Sequence, residues 1–471
     1  MQQSLARSFV VGFDLDLTLA DPRAGIARIY REVSERTGVH IDVDLVVSRL
    51  GPPLEWEMGQ WFPPERVDEA AALYRSLYQL AIPVTTELPG AREAVAAVHR
   101  LGGRVVVITA KHAPSAEATL RHLGIEADEV VGRRWAEGKG DALRERGGVV
   151  YVGDHPGDVR AARAADAVAV GVRTGGVEPE GADVLLDDLT SFPAWLDGYV
   201  LDARLRALDA GLRELGGVVV AFSGGADSAF LLAAAVRALG ADAVVAATAV
   251  SSSLPAAELA AARAFAAGLG VRHVTPATEE MSRDGYQANA GNRCYFCKAE
   301  LVDVLGPLAA AEGKAFVVTG TNADDAADDF RPGIRAAAER GARTPLLDAG
   351  FTKAQVRAAS RRWGLSTWDK PAAACLSSRV AYGVRITPKR LARVEAAEAA
   401  LREALAAADI PVRDLRVRDL GDHARIEVDR EHVPAVAASA ACVEAVAAAG
   451  FGRVEVDTQG FRSGSMNELL R

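Results

Sequence analysis

The stretch VVVAFSGGADSAFLL occupies residues 218–232. A short β-branched run leads straight into Ser223-Gly224-Gly225, and then into Ala- and Leu-rich sequence. The run is too short for a helix and reads as a buried strand, and the sequence after the glycines reads as a helix. Gly224 and Gly225 let backbone N–H groups come close to an anion. The N-terminus of the next helix adds partial positive charge at the same place. Strand, glycine turn and helix start together predict a pyrophosphate cradle. The G-x-x-x-x-G-K-[ST] spacing of the Walker loop is absent.

The same grammar extends in both directions. AVVAATAV (243–250), VRHVTPAT (271–278) and FVVTGTN (316–322) follow the cradle as further buried strands. Upstream, SFVVGF (8–13), RVVVIT (104–109), VVYVGD (149–154) and AVAVGV (167–172) form an earlier set. Each run is followed by polar punctuation and a helical segment, the alternation of a parallel α/β sheet. Between the sets, leucines at 201, 205, 208, 212 and 215 mark a helix. The boundary is expected near 198. From about 385 the texture becomes that of a small α+β subdomain, with a helix opening at Thr387-Pro388. The predicted fold class is α/β: two Rossmann-like parallel-sheet domains, 1–198 and 199–384, and an α+β subdomain at 385–471.

Composition narrows the function. The 471 residues carry 54 Lys+Arg against 63 Asp+Glu, a net charge of −9. That balance counts against a nucleic-acid partner. Four cysteines do not make a disulfide scaffold and point to a reducing compartment. The start of the chain lacks a signal-peptide layout, and no apolar stretch is long enough for a membrane span. A cytoplasmic location without membrane contact is expected.

Phe13-Asp14-Leu15-Asp16-Leu17-Thr18 leaves the first strand directly. Residues two apart on an extended exit point to one side, so Asp14 and Asp16 are expected in one site. One carboxylate serves as a nucleophile while the other trades a proton with the leaving group. Thr109 at a strand end, Lys139 in EGKGDAL, and Asp154 and Asp158 in VGDHPGDV complete a phosphoryl-transfer set. This order resembles the haloacid dehalogenase (HAD) superfamily of phosphatases over residues 8 to about 192. The resemblance implies Asp14 as phospho-accepting nucleophile and Asp16 as acid/base. It implies Thr109 and Lys139 as phosphate binders, Asp14, Asp16, Asp154 and Asp158 around Mg²⁺, and a helical cap over about 22–88. Lys139 lies between two glycines where many relatives have Pro after the lysine, and Lys111 competes for its role.

SGGxDS resembles the PP-loop ATP pyrophosphatases, which split ATP into AMP and pyrophosphate. The resemblance implies Ser223, Gly224, Gly225 and Ser228 on the ATP phosphates, and Asp227 on both ATP and Mg²⁺. With NRCYFCKAEL (292–301), GTNADD (320–325), RPG (331–333) and KPAAACLSSRVAYG (370–383), the chain from about 200 resembles the LarE sulfur transferases of nickel-pincer cofactor synthesis. RVR (416–418), ARIEV (424–428) and GFRSGSMN (460–467) extend the match. The resemblance implies adenylation of a pyridinium carboxylate mononucleotide and its conversion to a thiocarboxylate. Sulfur comes in that family either from a sacrificed cysteine, here Cys375, or from a [4Fe–4S] cluster on three cysteines, here Cys294, Cys297 and Cys375. Three thiolates leaving one iron open favour the cluster, whereas zinc wants a fourth thiolate or histidine. Cys442 reads as a buried apolar residue. Arg416, Arg418 and Arg462 are implied binders of the substrate phosphate, with Glu398 and Glu427 nearby. A homo-oligomer (trimer or hexamer) and a sulfur-reloading protein are implied partners. The rival readings are a tRNA-thiolating PP-loop enzyme and a HAD module kept only for assembly.

Overall fold

The computed structural model describes residues 8–326, 332–371 and 375–462. Arg331 of the RPG motif, Ala372–Ala374 and the residues from Ser463 onward lie outside them. The chain divides into two compact units, Met1–Ala203 and Arg204–Arg471. Among the described residues no helix is long and apolar enough to cross a membrane.

The first unit is built on a six-stranded parallel sheet. Its order from edge to edge is Glu129–Val131, Arg104–Ile108, Val10–Phe13, Gly148–Gly153, Val168–Val172 and Val184–Leu186. Val10–Phe13 is buried throughout and has neighbours on both sides. The chain passes from it to Arg104–Ile108 on one side and crosses later, from Glu129–Val131, to Gly148–Gly153 on the other, so loops part at its carboxyl end and open the crevice where ligands of α/β sheets sit. The helices of residues 23–80 pack around their own core of Ile29, Tyr30, Val33, Met58, Ala71 and Tyr78. Two short strands, Ala20–Asp21 and Thr86–Glu87, pair antiparallel where this helical segment leaves and rejoins the sheet.

The second unit carries a four-stranded parallel sheet in the order Arg272–Val274, Val244–Ala247, Val218–Ala221, Phe316–Thr319. Val218–Ala221 is again interior. Beyond it, Leu415–Asp419 and Ala424–Val428 pair antiparallel, and Val454–Val456 joins in parallel. The helix Pro388–Ala407, capped by Thr387 accepting from Arg390 N, covers this small sheet. Their shared core includes Cys442, which is fully buried, and also Tyr286 and Leu376 from the preceding sequence.

The expected boundary near 198 falls inside one continuous helix, Phe192–Leu215, and the compact units part after Ala203. The leucine stripe from 201 is the second half of that helix. Its first half places Phe192, Leu196 and Val200 in the core of the first unit.

Candidate active sites

Three neighbouring strand ends assemble the first site. Asp14 follows Phe13, Thr109 follows Ile108 and Asp154 follows Gly153. Asp14 N donates to Val152 O at 2.8 Å, which ties Asp14 to the adjacent strand. Lys139 projects from the helix Glu137–Glu145 and is 1 % exposed. Its Nζ lies 3.0 Å from Asp14 Oδ1 and 2.7 Å from Asp158 Oδ1. The other Asp158 oxygen accepts from His155 N and closes the capping box of the helix Pro156–Ala164. Asp14, Asp154 and Asp158 bring carboxylate oxygens within 4.8 Å of one another. Three buried hard oxygen donors this close together fit Mg²⁺.

Asp16 is a correction to the expected metal set. Its carboxylate is not in the group within 4.8 Å and pairs with Lys111 Nζ at 2.6 Å, while it lines the same cavity as Asp14. Leu17, next to it, adopts a left-handed backbone (φ 63°) and turns the chain there. Lys111 also donates to Tyr78 Oη at 2.6 Å, a contact from the helical cap. The two lysines therefore do not compete: Lys139 serves Asp14 and Lys111 serves Asp16. Thr109 is buried, and its Oγ1 accepts from Lys111 N at 3.2 Å.

Burial pushes the Asp14 carboxyl up to about 7, against the pull of Lys139 and with Asp158 and Asp16 adding to the rise. Burial, then Asp14 and Asp158, push Asp154 up to about 8. The folded protein thus holds protons that the unfolded chain has already released above about pH 4. Without metal, stability contributed by these groups is full below about pH 4 and is lost progressively as pH rises from there through 7 to 8. A divalent cation takes the place of those protons. Thermal melts are expected to show Mg²⁺ raising Tm more at pH 8 than at pH 5; equal shifts at both would reject this site as the cation's seat.

In the second unit, strand, glycine turn and helix start follow in the order the sequence predicts. Gly224 has φ 74°, a conformation open to glycine at little cost. Ser223 Oγ and Ser228 Oγ stand 3.1 Å apart, and Ser228 also accepts from Ser223 N and donates to Gly225 O. The helix Ala226–Leu239 starts on the turn. Asp227 sits at that start, its carboxyl raised by burial and by Asp325. Asp325 is paired with Lys353 at 2.9 Å.

The cysteine segments are tied to this cradle and to each other. Lys370 Nζ donates to Gly224 O at 2.9 Å and pairs with Glu258 at 2.6 Å. Leu376 N donates to Ser253 O. Cys294 and Cys297 lie one turn apart on the helix Arg293–Ala311, on one face. Arg293, beside Cys294, donates to Ser377 O at 2.8 Å, two residues after Cys375. Tyr286 Oη and Ser377 Oγ are 2.6 Å apart. Burial pushes the Cys297 thiol up to about 12, with Cys375, Glu280 and Cys294 adding to the rise. The three sulfurs are thus within electrostatic reach of one another. They are not among the groups packed within 4.8 Å.

Behind Cys375 lies a buried charged cluster. Arg379 pairs with Glu398 at 3.0 Å and donates to Cys375 O at 3.0 Å. Arg418 pairs with Glu427 at 2.7 Å and donates to Ser378 O at 3.1 Å. Arg416 shares the strand face with Arg418, its guanidinium 5.2 Å from the Phe461 ring. Neither arginine is a solvated strand charge: both are over nine-tenths buried. Arg462 follows Phe461 at the limit of the described residues.

Comparison with known proteins assigns both units. The haloacid dehalogenase-like hydrolase family model matches residues 11–163. The pyridinium-3,5-bisthiocarboxylic acid mononucleotide synthase of Lactiplantibacillus plantarum is 35% identical over 271 residues, 57% of this chain and 96% of that protein. The chain belongs to this LarE family, with a HAD-like domain ahead of it. An uncharacterized protein of Synechocystis sp. is 42% identical over 274 residues, 58% of this chain and 99% of its own. A haloacid dehalogenase-like family hydrolase from Streptococcus pneumoniae is similar to 42% of this chain and 99% of its own, at 21% identity and a TM-score of 0.36.

Several residues of the LarE part carry no motif signal of their own. Glu280, 3 % exposed, accepts from Ser253 Oγ at 3.0 Å and from Ser251 Oγ, beside the segment that receives Leu376. Arg293 lies in NRCYFCK, yet only the fold shows that it binds the Cys375 loop. In the HAD-like domain, Tyr78 reaches Lys111 from a cap helix whose sequence reads simply as apolar.

Proposed function

We propose that the second unit is an ATP-dependent sulfur transferase that turns pyridinium-3,5-dicarboxylate mononucleotide into its thiocarboxylate. The observation that carries this reading is the 35% identity spanning 96% of the L. plantarum synthase. A carboxylate oxygen of the substrate attacks the α-phosphorus of ATP and pyrophosphate departs. The cradle of Ser223, Gly224, Gly225 and Ser228 holds the phosphates, with Asp227 holding the Mg²⁺ that accompanies them. Sulfur delivered at Cys294, Cys297 and Cys375 then adds to the activated carbonyl, and AMP leaves with the bonding pair. The three cysteines fit a [4Fe–4S] cluster, which with three thiolate ligands offers an iron free to exchange a sulfur ligand. A buried thiol pushed up to about 12 is a poor free nucleophile and becomes a thiolate against a metal. Arg416, Arg418 and Arg462 bind the substrate phosphate, a role bidentate guanidinium suits. The reading includes a homo-oligomer in the cytoplasm and an external protein that reloads sulfur.

The first unit is proposed as a Mg²⁺-dependent phosphomonoesterase. Asp14 attacks phosphorus and the ester P–O bond breaks; Asp16, with Lys111 beside it, supplies the proton to the leaving oxygen. Water then opens the aspartyl phosphate, giving its proton back to Asp16. Asp14, Asp154 and Asp158 hold Mg²⁺, which neutralises charge on the transferring group.

Anaerobic purification with iron and sulfide analysis tests the sulfur source. Iron with ATP-dependent thiocarboxylate formation and an intact polypeptide mass is expected. A chain that forms product without iron and loses the elements of H₂S would reject the cluster and assign the sulfur to Cys375 itself.

A further inference from the structure

We propose that the HAD-like domain's active-site cavity takes a 5′-mononucleotide whose planar ring carries a carboxylate, with Trp135 as stacking platform and Arg133 as the carboxylate's partner. This rests on the reading of that site as a phosphomonoesterase.

The cavity encloses about 1060 Å³ including its open mouth. Asp14, Asp154, Thr109 and Lys111 line its phosphate end, and Ile26, Leu50 and Leu54 of the cap line the other. Trp135 stands between the two. Its ring is 5.8 Å from Lys139 Nζ and 5.2 Å from the His155 ring, and a Cβ at Gly51 of the cap would lie 3.4 Å from its Cη2. An indole face there meets whatever ring a phosphate at Asp14 carries.

The loop that presents Trp135 is unusually constrained. Arg133 (φ 56°) and Ala136 (φ 44°) are both left-handed without being glycine. Backbone bonds stitch this loop to the catalytic one: Arg133 N to Lys111 O at 2.9 Å, and Arg134 N to Thr109 O at 3.0 Å. Gly132 packs so closely that a Cβ would stand 2.4 Å from Ala113 N. Strain of this kind persists where the surroundings over-determine it, as at ligand clamps. Here it fixes the backbone that carries Arg133, an exposed residue, and Trp135, which is partly buried, and both line the cavity.

Charge selects the ligand further. Arg49 is paired with Glu57, Arg75 with Glu55 and Lys111 with Asp16. Among the described residues no carboxylate pairs with Arg133, which also lines the cavity. A sugar phosphate would leave Trp135 unused, and AMP would leave Arg133 without an anion. A ring carboxylate engages both, and a pyridinium ring adds cation–π attraction to the indole. Nicotinic acid mononucleotide is a probe of this class, and nicotinamide mononucleotide is its uncharged-amide control.

The test is kcat/KM of the full chain with Mg²⁺ for these two nucleotides, AMP, phosphoglycolate and acetyl phosphate. Nicotinic acid mononucleotide is expected to exceed its amide by about tenfold or more, the scale of one charge-assisted pair. Arg133→Gln should bring that ratio to within about twofold of unity, and Trp135→Leu should lower the nucleotide-to-acetyl phosphate ratio. A preference for phosphoglycolate or AMP, or a ratio indifferent to Arg133→Gln, overturns the inference while the phosphatase reading stands. If no ester is hydrolysed, that reading falls and calorimetry decides the ligand. Nicotinic acid mononucleotide binding weakened by Arg133→Gln supports the inference; binding that Arg133→Gln leaves unchanged overturns it, because any affinity of the second unit is common to both chains.

Discussion

An Asp14→Asn chain is expected to hydrolyse p-nitrophenyl phosphate at least ~10⁴-fold more slowly than the parent, the scale of losing a covalent nucleophile. The amide keeps the shape of the carboxylate but cannot form the aspartyl phosphate. Folding is not the reason for the loss, since the substitution removes a charge that burial opposes. Asp14 is pushed up to about 7 in the native state, so at pH 8 its ionised form weakens the metal-free fold. Lys139 retains Asp158 at 2.7 Å as its counter-charge. A thermal melt of the variant at pH 8 without metal should therefore be no lower than that of the parent. Activity within tenfold of the parent would remove Asp14 from the nucleophile's role. ATP-dependent thiocarboxylate formation should persist, because the variant leaves the second unit's residues untouched.

The strand ends were the legible part of both sites. Asp14, Thr109 and Asp154 each close a β-branched run, and Ser223-Gly224-Gly225 closes another, so alternation alone predicted where ligand-facing residues would emerge. Side-chain partners beyond those ends were not legible. Asp16 follows the two-residue alternation of an extended chain and shares the cavity with Asp14, but it pairs with the ammonium of Lys111 rather than joining the three carboxylates grouped within 4.8 Å. Lys111 and Lys139 looked like alternatives because sequence gives no reach for a lysine; in the fold they serve different carboxylates. Arg416 and Arg418 alternate as a solvent-facing strand would. Only packing against Glu427, Phe461 and the Cys375 loop shows that they are interior. Arg133 and Trp135 sit in a loop without periodicity, and their signal is backbone conformation, which composition does not carry.

Both units answer the same topological demand. Val10–Phe13 and Val218–Ala221 each run between two parallel neighbours. At the carboxyl end of such a strand the connections diverge and leave backbone N–H groups and side chains facing an open crevice. One unit fills that position with carboxylates, which bury poorly without a cation. The other fills it with glycine and serine, which suit an anion. The difference between an acidic, cation-suited site and an anion-suited turn thus rests on a few residues after the strand.

A Cys375→Ser chain is expected to form thiocarboxylate at least ~10³-fold more slowly, while still releasing pyrophosphate from ATP. The fold around the position should survive. Arg379 Nη1 and Ser378 Oγ both bind the Cys375 carbonyl, and Arg293 binds that of Ser377, so these contacts use backbone oxygen that serine retains. A hydroxyl neither carries sulfur nor replaces a thiolate on iron. Adenylation should continue because the cradle contacts through Lys370 and Gly224 do not involve the thiol. Cys294→Ser separates the two sulfur sources. If the three thiols act as one metal-binding set, Cys294→Ser loses iron and product together with Cys375→Ser, since two thiolates hold a cluster weakly. If Cys375 is consumed, Cys294→Ser keeps one turnover and its polypeptide lightens by one H₂S. Pyrophosphate release that stops in Cys375→Ser would mean the thiol supports ATP binding, and would reject the division of labour between the cradle and the cysteine trio.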